Sequence, residues 1–128
     1  MEQLIARSPD KYDDRLSYRW RQIELIKLVK DQDYLARIAA EDEDGIIRRE
    51  AVRFITDQRI LDRIALQYRK NDHIVREEAV SRLMDQEILA LFASNADEYD
   101  GVRNRALYHL DDQDLLISIF TDAHKKAK

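Results

Sequence analysis

The dipeptide Asp-Gln returns four times at nearly constant spacing, at Asp31-Gln32, Asp57-Gln58, Asp85-Gln86 and Asp112-Gln113, with intervals of 26, 28 and 27 residues. A period of that length marks a repeated supersecondary unit. A unit so short cannot bury an apolar stripe alone, so neighbouring units must stack to make one continuous core.

Aligned on this dipeptide, the first half of each unit carries apolar residues at matching offsets: Tyr34, Leu35, Ile38, Ala39; Ile60, Leu61, Ile64, Ala65; Ile88, Leu89, Phe92, Ala93; Leu115, Leu116, Ile119, Phe120. Offsets of this kind make one helical stripe. The second halves repeat as well, with Ile47-Arg48, Ala51, Val52, Ile55; Val75-Arg76, Ala79, Val80, Leu83; and Val102-Arg103, Ala106, Leu107, Leu110. Each unit is thus read as two amphipathic helices. The small residue at 51, 79 and 106 lets neighbours approach closely.

Between the halves stand Asp44-Gly45, Asn71-Asp72 and Asp100-Gly101, where glycine admits a positive φ and aspartate can cap the next helix. A single residue (Thr56, Met84 or Asp111) separates each second helix from the next Asp-Gln. So short a connection turns consecutive helices back on each other, with the aspartate capping the incoming one.

Composition agrees. Two glycines and one proline in 128 residues argue for nearly unbroken helix, and 38% charged residues suit a thin fold with much surface to solvate. The formal charge of −4 gives no general attraction to phosphate backbones or anionic lipid. It is unevenly placed: residues 1–30 hold seven Lys/Arg against five Asp/Glu, residues 31–123 twelve against twenty-one, and the end adds Lys125, Lys126 and Lys128. Cysteine is absent, which fits a reducing compartment. No apolar run approaches the ~18 residues of a membrane span and the start is not signal-like, so a cytoplasmic protein is expected.

The pattern L-x-x-I-A, an acidic turn, V-R-x-x-A-V and then D-Q resembles HEAT-like helical repeats, in particular the short units of the phycobilin-lyase type, over Asp31 to about Ala123. The resemblance implies a right-handed α-solenoid of antiparallel helix pairs, eight or nine helices in one domain. Residues 1–30 form an N-terminal cap, 31–56, 57–84 and 85–111 full repeats, and 112–128 a half repeat with a basic tail. It also implies an Asp–Arg ladder between units, for which Asp44 with Arg48, Asp72 with Arg76 and Asp100 with Arg103 are the matching pairs. In the cap, Leu4–Ala6 reads as a short half-helix and Ser8-Pro9-Asp10 as a helix-start signal. Leu25, Ile26 and Val29 match the core stripe, and Gln22 replaces the ladder arginine.

No constellation names a reaction. His73, His109 and His124 lack metal-site spacing, and no phosphate loop or nucleophile motif is present, so neither a metal nor a cofactor nor catalysis is expected. The acids Glu41–Asp44 and Asp97-Glu98 sit at turns and helix starts, where the helix dipole favours them. The recurring arginines read as ladder, not as a phosphate site.

Two surfaces depart from the framework. The outward face of the second helices carries Arg49, Glu50 and Arg53, then Glu77, Glu78 and Ser81, then Asn104, Arg105 and Tyr108 with His109 at the flank. In a solenoid of this resemblance it lines the concave side, and the third unit supplies recognition-prone side chains. In the cap, Leu16, Trp20 and Ile23 form a stripe opposite Leu25, Ile26 and Val29, which is covered by residues 1–9, reflects a cap helix rotated from this register, or is covered by a partner. The expected function is a non-enzymatic protein-binding scaffold or adaptor, with a protein or peptide as partner and self-association through the Trp20 stripe as a further option. Two alternatives stand beside it. A nucleic-acid module is disfavoured because Glu24, Glu50, Glu77 and Glu78 offset Lys27, Arg49, Arg53, Arg82 and Arg105; the other is an accessory or lyase role on a bilin.

Overall fold

A computed structural model describes residues 14–67 and 72–127. Among these the chain forms eight α-helices and no strand: α1 Asp14–Ile26, α2 Gln32–Glu41, α3 Gly45–Arg53, α4 Gln58–Leu66, α5 His73–Ser81, α6 Gln86–Ser94, α7 Asp100–His109 and α8 Gln113–Ala127. The expected Leu4–Ala6 half-helix, the Ser8-Pro9-Asp10 start signal, any cover from residues 1–9, the Asn71 turn position and the side chains beyond Lys125 lie outside the described residues. Two compact units divide between Ile55 and Thr56.

The aspartate of each Asp-Gln caps a first helix as expected. Asp31 accepts from Tyr34 N–H at 3.0 Å, Asp57 from Arg59 N–H at 2.9 Å, Asp85 from Glu87 and Ile88 N–H at 2.9 and 3.2 Å, and Asp112 from Leu115 N–H at 3.1 Å. Each such cap satisfies amides that helix geometry leaves open, typically ~1 kcal/mol. The second helices end by tightening: Phe54 N–H bonds Ala51 O at 3.1 Å and Arg82 N–H bonds Ala79 O at 3.0 Å, a three-residue step that lets the chain leave the helix at once.

The glutamine has its own task. Gln58 Nε2 donates to Arg82 O and its Oε1 accepts from Met84 N–H, both at 3.1 Å. Gln86 does the same one period later, donating to His109 O at 3.3 Å and accepting from the Asp111 and Asp112 amides at 2.7 and 2.9 Å. In the first unit Gln32 Nε2 reaches Phe54 O at 3.5 Å. These three glutamines therefore tie the start of a first helix to the end of the second helix that follows it, satisfying backbone groups at a turn too short to satisfy itself, whereas Gln113 reaches only Asp111 O among the described residues.

In the unit ending at Ile55, α2 packs on α3 and α1 on α3. Leu35, Ala39, Ile47, Ala51, Val52, Ile55 and Ile26 make its core. In the unit from Thr56 on, α4 packs on α5, α6 on α7, α5 on α7 and α6 on α8. There Leu61, Ala65, Val75, Ala79, Val80, Leu89, Ala93, Val102 and Ala106 are buried, so the small alanines of both helix types sit where helices meet.

The apolar stripes are narrower than the repeat predicts. Tyr34, Leu107 and Phe120 share the repeat positions of core residues yet are exposed, because offsets at a stripe's edge rotate out of the contact. Glycine differs too: no described residue has a positive φ, and Gly45 begins α3 while Gly101 is the second residue of α7. Gly101 serves a close approach, since a Cβ there would lie 2.5 Å from the Glu77 carboxylate.

The cap helix is rotated from the expected register. Arg19 Nε bonds the Asp44 carboxylate at 2.7 Å, so α1 contributes a ladder arginine of its own. Counting from it, Gln22, Ile23 and Ile26 fall at the same offsets as Ala51, Val52 and Ile55 after Arg48. Gln22 thus takes the alanine position and not the arginine position. Ile26 is buried, Ile23 half-buried and Leu25 half exposed at 50%, which separates Leu25 from Ile26 and places Ile23 at the core margin.

Candidate protein-binding faces

Two of the arginines at the ladder position, Arg19 and Arg76, reach forward to an acid at the next turn. In the second unit Arg76 Nη1 and Nη2 hold the two oxygens of Glu98 at 3.0 and 2.6 Å, while Arg76 Nε donates to Ala65 O at 3.2 Å and its guanidinium lies 5.7 Å from the Phe92 ring centre. Both side chains are under a tenth exposed. Burial alone pushes the Glu98 carboxyl up, but the Arg76 hydrogen bonds, the Tyr99 N–H and the charges of Arg76 and Arg103 outweigh it and hold the group below its ordinary range. The Asp44 carboxyl follows the same pattern, raised by burial but held low by Arg19 and by the Ile46 and Ile47 amides.

Glu98 is an acid of this rung that nothing in the repeat alignment singles out. Arg103, in the last second helix, bonds Asp100, the acid the repeat pairs it with, and also Ala96 O of the same turn. Beside the rung His73 and Tyr99 stack with ring centres 4.1 Å apart, joining the starts of α5 and α7. The sequence signal for that contact was only an aromatic in each of two turns.

The outward face predicted to bind is split between the units. In the first, Arg49 is half-buried, and Arg53 is bound to Glu50 at 3.2 Å, which is itself almost buried. Leu16 and Trp20 of α1 are 48% and 65% exposed, whereas Ile23 does not join them on the open surface.

In the second unit α5 and α7 bring the other residues together. Arg105 Nη1 donates to Ser81 Oγ at 2.7 Å, Ser81 Oγ donates to Glu77 O at 2.8 Å, and Arg105 Nε lies 3.9 Å from the Glu77 carboxylate. One turn on, Tyr108 is 82% exposed and meets the His109 ring edge-on at 5.1 Å. Glu78 is half-buried. The patch offers a guanidinium held in place, a phenol free to bind and an imidazole beside it.

Among the described residues no three His, Cys, Asp or Glu side chains are placed to hold a metal ion, and no helix is long and apolar enough to cross a membrane. One buried oxygen stands apart: Asp62 Oδ1 in α4 has no hydrogen-bond partner among the described residues. Burial first and the Asp85 charge second push that carboxyl up. Comparison with protein-family models, with curated proteins and with solved structures finds no match to this chain.

Proposed function

We propose that the chain is a HEAT-like, right-handed α-solenoid that acts in the cytoplasm as a non-enzymatic scaffold or adaptor, binding a protein or peptide through the outward face of its second helices. The observation that carries this reading is Tyr108, 82% exposed beside the restrained Arg105 on α7. A large amphipathic ring so placed adds nothing to the core, yet it supplies contact area at low entropic cost when a partner covers it. Arg105, restrained by Ser81 and Glu77, gives the same patch a pre-oriented donor. In a solenoid this face is the concave one, suited to an extended or helical segment.

Trp20 with Leu16 is the second contact surface in this proposal. The test is retention of partner proteins from native extract by the wild type, by Arg105→Ala/Tyr108→Ala and by Trp20→Ala. The reading expects a protein held by the wild type and lost from the double variant while the melting temperature stays constant. An unchanged set of bound proteins, or a large loss of stability, would refute it.

A further inference from the structure

The last described helix carries a surface that the repeat reading assigned to the core. In α6 the residues at the stripe positions, Leu89 and Ala93, are 0% and 8% exposed, because α7 packs against them. Their equivalents one period on in α8 are Leu116, half-buried, and Phe120, 73% exposed. Helix α8 packs on α6 with Leu115, Leu116 and Ile119 half-buried, and Ile117, 61% exposed, lies with Phe120 on another face.

That face has a regular spacing. Gln113, Ile117, Phe120 and His124 are all exposed and follow one another at intervals of four, three and four residues. This is the 3.5-residue seam that one helix presents to another in a two-stranded coil, not the wider stripe of a helix laid on a globular core. The Phe120 and His124 rings are stacked, with centres 6.3 Å apart, and extend the seam toward its end.

Charge along α8 gives the direction. Its start is acidic, with Asp111, Asp112 and Asp114 exposed; its end carries one exposed acid, Asp122, and is basic beyond it, with exposed His124 and Lys125. Two such helices laid parallel would bring acid to acid and base to base. Laid antiparallel, Gln113 faces His124 of the second copy and Ile117 faces its Phe120. The same register brings Lys125 alongside the second copy's Asp112 and Asp114. The dipoles then oppose as well. The same patch meets itself about a twofold axis, so the contact closes at two copies.

We infer that the exposed α8 seam is a self-association site at which two copies of this chain pair antiparallel through Ile117 and Phe120, with the acidic start of each helix on the basic end of the other. The contact is small and therefore weak and concentration-dependent. It is separate from the Arg105–Tyr108 patch and from the Trp20 stripe.

The experiment is sedimentation of the intact chain across a concentration series from micromolar to near millimolar. The wild type is expected to rise in average mass toward that of two copies. Phe120→Asp should weaken association at least tenfold with unchanged helicity, since the side chain is exposed in the single copy, and Trp20→Ala should leave it unaltered. Lys125→Asp alone should weaken it, and Asp114→Lys/Lys125→Asp together should restore it. A wild type that stays a single copy throughout overturns the inference. So does association that survives Phe120→Asp, association abolished by Trp20→Ala, or a double charge swap no better than the single one.

Discussion

The buried rung around Arg76 and the outward patch around Arg105 lie one repeat apart on helices of the same kind, and each sets an arginine against a glutamate. Arg76 and Glu98 are both under a tenth exposed and meet through two short bonds, with a third bond from Arg76 to Ala65 O. Arg105 is half exposed and stands 3.9 Å from Glu77. Two pairs of identical chemistry therefore differ in energetic consequence: an ion pair cut off from water is costly to break on one side, whereas an exposed pair is screened and worth ~0–1 kcal/mol. The first is framework. The second leaves its arginine available to a partner.

The largest expected effect breaks the first side of that contrast. Arg76→Met leaves the Glu98 carboxylate buried without its partner and should cost about 3–5 kcal/mol, read from urea unfolding. Replacing both members with apolar residues, Arg76→Met/Glu98→Leu, should recover most of that loss; no recovery would show that the arginine's bond to Ala65 O or its packing on Phe92 dominates.

The rung should also be visible in acid. The folded-state pKa of Glu98 is depressed, so its contribution is fully present above the ordinary carboxylate range and is lost as pH falls through the lower folded value. Glu98→Gln should flatten that part of the stability–pH curve. Equal acid sensitivity in the variant and wild type would assign it to other carboxylates, Asp44 first among them.

Asp62 sharpens the comparison from the opposite side, as a carboxylate with a buried oxygen and no arginine. Its raised pKa means that ionisation is a liability in the folded state at neutral pH, relieved as pH falls through that raised value. Asp62→Asn should raise the melting temperature at neutral pH and lose this advantage in acid. A lower melting temperature at neutral pH would contradict the account. The cap rung Arg19–Asp44 is about 30% exposed on both sides, and Arg19→Ala should cost no more than about 1 kcal/mol, well below Arg76.

How far these roles could be read beforehand depends on the length scale of the cause. Local rules were legible: Asp31, Asp57, Asp85 and Asp112 cap helices because an aspartate before an apolar stripe can do little else, and Leu35, Leu61 and Leu89 are fully buried at one repeat position. What depends on the neighbouring unit was not. The glutamine of each Asp-Gln recurs as strictly as the aspartate, but Gln32, Gln58 and Gln86 find partners 22 to 26 residues on, so the spacing alone gives no hint of what they bind.

The ladder was legible only in part for the same reason: Asp100 meets Arg103 as the repeat suggests, but the forward contacts of Arg19 and Arg76 were not visible. Asp44 lies four residues from Arg48, a natural pairing along one helix, yet it is held by Arg19 from the preceding second helix. The arginine-to-isoleucine spacing of Arg19, Ile23 and Ile26, identical to that of Arg48, Val52 and Ile55, was the available clue to the rotation of α1. Of the candidate site residues, Arg105, Tyr108 and His109 form a group, Arg49 and Arg53 lie in the other unit, and Ile23 is withdrawn toward the core.

The smallest expected effect on stability carries the central claim. Arg105→Ala/Tyr108→Ala should leave the melting temperature within about a degree or two of wild type, because an exposed pair and an exposed ring contribute little to folding. The decisive measurement puts that variant beside the wild type in one experiment, recording melting temperature and retained partner proteins from native extract together. The account predicts equal melting and loss of at least one protein held by the wild type; equal melting with an identical set of bound proteins would contradict it.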